Sequence, residues 1–319
     1  MICALAKPPI VAKDLAPMLL PLLQALRPHQ WVKNLLVIAP LLFSARVYER
    51  GAWIAALAAF ATFCGVASAV YLLNDCVDRE QDARHPKKRD RPIASGRLSV
   101  HRATFAMIVL AAASAVLALW LEGSGRIEPD EVTDRLMPFT AWPAAYLLLN
   151  LAYSFKLKRV VVLDCMCVAL GFQIRVHAGT AAIRVEASHW LLLCTFFFAL
   201  FVAFCKRYEE VGRQAEASGQ TRATMQDYNL PFLNMMIGPL AALSILTYAL
   251  YTVSPETIAK HGTARLMYTV PVVTYGVFRY LFLVYRKEQG GDPSRLLFRD
   301  PPLLLSGLVY FASVWLVLR

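Results

Sequence analysis

The residues best equipped to hold a charged substrate are gathered in Asn74-Asp75-Cys76-Val77-Asp78-Arg79-Glu80-Gln81-Asp82. This stretch joins an apolar run ending in Tyr71-Leu72-Leu73 to the basic segment His85-Pro86-Lys87-Lys88-Arg89-Asp90-Arg91-Pro92. Asp75, Asp78 and Asp82 recur at i, i+3 and i+7, so a helix places all three carboxylates on one face. Like charges on one stripe repel unless a cation sits among them. Oxygen-only ligands suit Mg²⁺, which takes one or two carboxylates, several waters and the phosphates of a substrate. The Lys and Arg residues just downstream supply cations for the rest of such a substrate's charge. A solvated charged loop between two membrane helices is the plainer alternative. The carboxylate spacing and the position at a membrane edge argue instead for a Mg²⁺–diphosphate site.

The elements that must position this stretch are apolar helices. Hydrophobic residues make up 58% of the 319, against about 45–50% in a soluble domain. Several runs reach the roughly 20 apolar residues of a bilayer span. The chain reads as an all-α integral membrane protein. Its seven cysteines lie mostly inside apolar runs without metal-knuckle spacing, as buried small hydrophobes do. The N-terminus lacks the pattern of a secretory signal. A net charge of +11 finds no soluble basic domain, so nucleic acid is excluded as a partner. Anionic headgroups, phosphorylated substrates and the positive-inside bias account for the charge.

A cytoplasmic lead over 1–26, with an amphipathic or interfacial piece around Met18–Leu26, precedes one transmembrane catalytic domain over 27–319. Nine spans are expected, at about 32–45, 52–73, 102–121, 138–155, 161–182, 189–205, 230–252, 267–285 and 303 to the C-terminus. With the N-terminus inside, 23 Lys and Arg fall on the inner side and eight on the outer. That imbalance puts the aspartate stretch on the cytoplasmic side of a cell (inner) membrane. The acidic loop at 122–137 then lies outside. The polar ends of spans 2, 4, 6 and 8 share the inner face.

Ionisable residues inside spans are functional candidates by default. Asp164 and Arg175 stand out, the plainer reading being a mutual or inter-helix ion pair that fixes packing. His177 reads as a satisfied core histidine and Arg279 as structural or snorkelling. Trp31 suits an interface anchor, and Lys33 either snorkels or reaches a phosphate.

Asn-Asp-x-x-Asp-x-x-x-Asp at Asn74–Asp82, followed by Arg91-Pro92-Ile93-Ala94-Ser95-Gly96, resembles the UbiA-type intramembrane prenyltransferase superfamily. Four further stretches resemble its decaprenyl-phosphate phosphoribosyltransferase branch. They are Arg27-Pro28-His29-Gln30-Trp31-Val32-Lys33-Asn34, Tyr153-Ser154-Phe155-Lys156-Leu157-Lys158, Lys206-Arg207-Tyr208-Glu209-Glu210 and Gly290-Gly291-Asp292-Pro293.

The resemblance implies a nine-transmembrane-helix bundle around a central cavity, capped on the cytoplasmic side. It implies Mg²⁺-dependent transfer of 5-phosphoribose from phosphoribosyl diphosphate to a polyprenyl phosphate for cell-wall arabinan precursors. Membrane and lipid are then the partners, with assembly into a homo-oligomer allowed. Asp75, Asp78 and Asp82 match the metal-binding aspartates and Asn74 the amide beside them; Lys87 and Arg91 match the basic positions that follow. Lys33, Lys88, Tyr153, Lys156, Lys158, Arg175, Lys206, Arg207 and Glu210 complete the expected substrate-binding set. Prenyltransferases acting on aromatic acceptors usually carry a second aspartate pair after span 6, which this chain lacks. Prenyl transfer to an aromatic acceptor and a transporter with midplane charges are the rival readings.

Overall fold

A computed structural model describes residues 16–84, 88–125, 137–216, 227–287, 296 and 299–317. Lys87, Gly290–Pro293 and most of the acidic 122–137 loop lie outside the described residues. Those described form α-helices and short 3-10 turns.

Six helices are long and apolar enough to cross a membrane: α3 (Arg50–Val77), α5 (Val100–Gly123), α7 (Leu163–Ile183), Arg265–Arg286, and the apolar parts of α8 (His189–Glu216) and α9 (Leu230–Val253). The Arg265–Arg286 span combines a 3-10 turn with α11 (Val270–Lys287), after the short α10 (Pro255–His261). Two shorter apolar helices, α6 (Ala141–Phe155) and α12 (Pro301–Val317), stand where spans 4 and 9 were expected. The protein is a multi-pass membrane protein.

The first expected span is not one α-helix. Helix α1 (Ala16–Leu26) is followed by a 3-10 run, Pro28–Val37, then by α2 (Ala39–Leu42) and a turn at Ala45–Tyr48. Arg27 takes the left-handed conformation, φ 54°, and Pro28 and Pro40 deny backbone donors, so the α-helical ladder cannot run through. Ala25 of α1 is buried with Leu72, Ile93 and Leu98 while Leu19, Leu20 and Leu23 are exposed, so the helix has one packed face and one open face, the amphipathic alternative. Trp31 also points inward, its ring N–H donating to Ser68 Oγ at 3.1 Å.

Two apolar clusters hold the bundle. One is built on the alanine-rich face of α3 (Ala52, Ala55, Ala56, Ala59, Phe63) with Val37, Leu41, Tyr146 and Ala178. The other joins Phe201 and Phe204 of α8 to Leu233 and Ile237 of α9 and Leu283 of α11. Small residues allow the closest approaches, as expected of helices packed in lipid. A Cβ on Gly179 of α7 would overlap the carbonyl oxygen of Val37, and one on Gly65 of α3 would overlap Ser114 Oγ of α5.

Candidate active site

Helix α3 carries its polar C-terminal turn beyond the apolar run. It stops at Val77, Asp78 caps it at φ −88°, ψ 8°, and α4 (Arg79–Arg84) begins at once. The amide of Asp78 still donates to Asn74 O and that of Asp82 to Asp78 O, so the helical course is loosened rather than reversed. The expected single stripe of three carboxylates is therefore split. Asp75 and Asp82 face the same guanidinium: Arg91 Nη1 lies 3.0 Å from Asp75 Oδ1 and 2.5 Å from Asp82 Oδ2. Asp78 turns instead to Lys158 Nζ at 3.3 Å. Lys88 Nζ is 3.6 Å from Asp82 Oδ1. Arg27 Nη2 meets Asp75 Oδ1 at 2.5 Å while its guanidinium lies over the Tyr71 ring.

This array fits a divalent cation in one respect and needs completing in another. Asp75 is 2% exposed, and its Oδ2 is buried without a hydrogen-bond partner. Such an orphan acceptor is costly unless a cation or donor takes it. Among the described residues no three His, Cys, Asp or Glu side chains converge as a ready cage. A site of one or two carboxylates finished by waters and substrate phosphates is the arrangement Mg²⁺ favours.

The C-terminal end of α6 joins this cluster to a second. Ser154 Oγ is 2.5 Å from Asn74 Oδ1 and also bonds Asn150 O, while the neighbouring Tyr153 hydroxyl accepts from Arg207 Nη2 at 3.2 Å. Buried Arg207 donates through Nε to Asp164 Oδ2 at 2.6 Å and through Nη1 to Glu210. Lys206 Nζ approaches Glu210 at 4.0 Å. Tyr228 donates to Asp164 Oδ1 at 2.7 Å and accepts from the Val162 amide at 2.7 Å. Burial holds the Tyr228 phenol well above its ordinary value, so it stays protonated and able to donate.

The expected convergence of the ends of spans 2, 4 and 6 is thus observed, through the Asp78–Lys158 and Tyr153–Arg207 contacts. The Tyr208 and Tyr285 rings, 4.9 Å apart, bring the end of span 8 beside them. Of the two plainer readings for the buried charges, the inter-helix ion pair is observed and the mutual Asp164–Arg175 pair is not. Asp164 pairs with Arg207, not with Arg175; eleven residues on one helix separate the two by about 16 Å along its axis. Arg175 donates to Gly171 O (2.7 Å), Tyr146 OH (2.9 Å) and Oδ1 of Asn34 (2.8 Å), whose own amide donates to Cys64 Sγ. It belongs to the bundle interior, where His177 stacks on Trp142 at 4.7 Å. Arg279 makes a two-pronged pair with Asp300, whose Oδ1 also accepts the Leu303 amide at the start of α12. Lys156 is exposed, and Lys33 stands half-buried beside Asn34. Sequence reasoning named Arg27 only as the start of a branch-like stretch, with no site role, and did not single out Tyr228. Arg27-Pro28 offered a signal, a cation fixed at a helix break, whereas Tyr228 offered none.

Carboxylates and cations gathered at the ends of successive spans of a helical membrane bundle suit a charged substrate met at a membrane edge, and comparison with known proteins gives the class, an intramembrane transferase. The UbiA prenyltransferase family model matches residues 35–300. The decaprenyl-phosphate phosphoribosyltransferase of Corynebacterium glutamicum is 33% identical over 294 residues, covering 91% of this chain and 84% of that protein. Its namesake in Mycolicibacterium smegmatis is 32% identical over 305 residues, covering 92% and 91%. Among solved structures, a UbiA homolog from Archaeoglobus fulgidus bound to GPP and Mg²⁺ superposes with a TM-score of 0.64 at 18% identity, covering 93% of this chain and 99% of that one. That likeness shows the fold. The chain belongs to the UbiA prenyltransferase family and, within it, to the branch of the decaprenyl-phosphate phosphoribosyltransferases.

Proposed function

We propose that the protein transfers 5-phosphoribose from 5-phosphoribosyl 1-diphosphate to a polyprenyl phosphate of the decaprenyl type, releasing diphosphate with the help of Mg²⁺. The observation that carries this reading is the joining of two unlike polar clusters at the end of α6. The aspartate cluster suits a metal-bound diphosphate. The other cluster presents Glu210, whose carboxylate is held by Arg207 and Lys206 and remains partly exposed. A prenyl diphosphate needs the first cluster and an apolar slot. Phosphoribosyl diphosphate also carries ribose hydroxyls, and a fixed carboxylate is a strong acceptor for them. The names of the relatives support the same donor and acceptor.

Asp75 and Asp82, with Asp78 beside them, would hold Mg²⁺, which when bound supplies Lewis-acid stabilisation of the leaving diphosphate. The chain's own residues do the rest. Arg27, Lys88, Arg91 and Lys158, now on the carboxylates, are the cations within reach of diphosphate oxygens. Ser154 holds the Asn74 amide at the edge of the same cluster. An oxygen lone pair of the lipid phosphate forms the new bond to ribose C1. The C1–O bond to diphosphate breaks, and its electron pair leaves with the diphosphate. The acceptor is already an anion, so no general base is required, and positioning and electrostatics carry the catalysis. The 23-to-8 basic imbalance supports a cytoplasmic site fed laterally by lipid.

The test is purified protein with Mg²⁺ and labelled phosphoribosyl diphosphate, offered polyprenyl phosphate, against prenyl diphosphate with an aromatic acid. Label entering the lipid only in the first mixture is the expected result. Prenylation of the aromatic acid instead would overturn the proposal.

A further inference from the structure

We infer that Tyr228 is a positioning residue of the donor site: its hydroxyl fixes the first turn of α7 so that Asp164 holds Arg207, and through it Glu210, in place. This rests on the proposed transfer reaction and names a further residue on which its donor specificity depends.

The argument begins with backbone geometry. Val162, the residue before α7, has φ 68° and ψ −45°. A β-branched residue at positive φ is an outlier that persists only where its surroundings enforce it. Its amide donates to the Tyr228 hydroxyl at 2.7 Å, and the same hydroxyl donates to Asp164 Oδ1 at 2.7 Å. The Cys165 amide reaches that Oδ1 too, at 2.8 Å, leaving Oδ2 turned towards Arg207 Nε at 2.6 Å. The tyrosine is itself well anchored. Its side chain is buried, and the next residue, Asn229, caps α9 by accepting the Phe232 amide at 2.8 Å. One phenol therefore links the starts of α7 and α9 to the only guanidinium among the described residues that bonds both Asp164 and Glu210. Without the hydroxyl, Asp164 can rotate, Arg207 can follow it, and Glu210 loses the shorter of its two ion-pair contacts, keeping the longer one to Lys206.

The hydroxyl has two separable jobs, holding the strained Val162 amide and orienting the Asp164 carboxylate. Glycine adopts positive φ without strain, so Val162→Gly relieves the first job and leaves the second untouched. The experiment compares full-length wild type, Tyr228→Phe, Val162→Gly and the double variant in detergent with Mg²⁺. KM is measured for phosphoribosyl diphosphate and for polyprenyl phosphate separately, with resistance to heat recorded alongside. Tyr228→Phe is expected to raise the KM for phosphoribosyl diphosphate about tenfold, as the loss of one hydrogen bond to a charged group should. The KM for polyprenyl phosphate should stay as in wild type. In the double variant heat resistance should recover while the donor KM stays high. A donor KM unchanged in Tyr228→Phe, a parallel rise in both KM values, recovery of the donor KM by Val162→Gly, or failure of both tyrosine variants to fold would each reduce Tyr228 to a strut and overturn the inference. If wild type transfers no phosphoribose, the proposed reaction falls and takes the inference with it. If wild type transfers phosphoribose and Tyr228→Phe behaves identically, the inference alone falls.

Discussion

Asp164→Asn is the sharpest test of the second polar cluster, because the substitution keeps shape and changes only charge and donors. Asp164 is 1% exposed and accepts from three groups: Tyr228 OH, the Cys165 amide and Arg207 Nε. In asparagine one oxygen becomes an NH₂. If that NH₂ faces Arg207, two donors oppose each other across a distance of 2.6 Å in wild type. If it is flipped, it opposes the Cys165 amide, and Tyr228 must reverse its own bond. Neither orientation satisfies every group. Breaking a buried ion pair by removing one charge costs about 3–5 kcal/mol. Glu210 still neutralises Arg207 from the half-exposed side, so a loss of about 2–3 kcal/mol is expected, nearer the value of a charge-assisted hydrogen bond. The assay is denaturation in mixed micelles at increasing SDS, with binding of phosphoribosyl diphosphate measured on the material that stays folded. The midpoint should fall clearly and donor binding should weaken. Wild-type resistance together with wild-type donor binding would refute the reasoning, because the pair would then hold neither the fold nor the site.

Three other outcomes are expected. Gly179→Ala, whose Cβ would strike the Val37 carbonyl and crowd Pro40 Cγ at 3.1 Å, should destabilise by about 1–3 kcal/mol, whereas Gly238→Ala, with nothing within 4 Å, should be near neutral; thermal aggregation in detergent separates the two. Lys158→Ala, which frees Asp78, should lower phosphoribosyl transfer well below the level of Lys156→Ala, whose side chain is exposed; equal losses would deny the Asp78 contact a role. Cysteines placed at Asp90 and Glu256, both exposed, should be labelled by impermeant reagent from opposite sides, Asp90→Cys from the cytoplasm; labelling from one side would mean a miscounted span.

Most of the bundle was legible because a span is a local property. An apolar window of about 20 residues announces itself wherever it sits, and the starts and stops of α3, α5, α7 and α9 fall within a few residues of the expected limits. The aspartate motif and the basic imbalance are equally local. The broken first span was written in Pro28 and Pro40, but hydropathy averaging hides two prolines in an apolar run. The mutual Asp164–Arg175 pair, kept open beside an inter-helix one, was within reach of helix arithmetic, since about 16 Å of rise keeps the two apart.

What only the tertiary structure decided is which charge meets which. Asp75 with Arg27, Asp164 with Arg207, Tyr228 with Val162 and Arg175 with Asn34 are separated by 48, 43, 66 and 141 residues. Each depends on the rotation and depth of packed helices, which small residues such as Gly179 and Gly65 set by letting backbones touch. Residue types and spacing determined that carboxylates and cations would crowd one end of the bundle. The depth and rotation of each helix decided that they form two clusters joined at Tyr153 and Ser154, because a side chain's charge acts over a few ångströms and sequence does not record which helices lie that close.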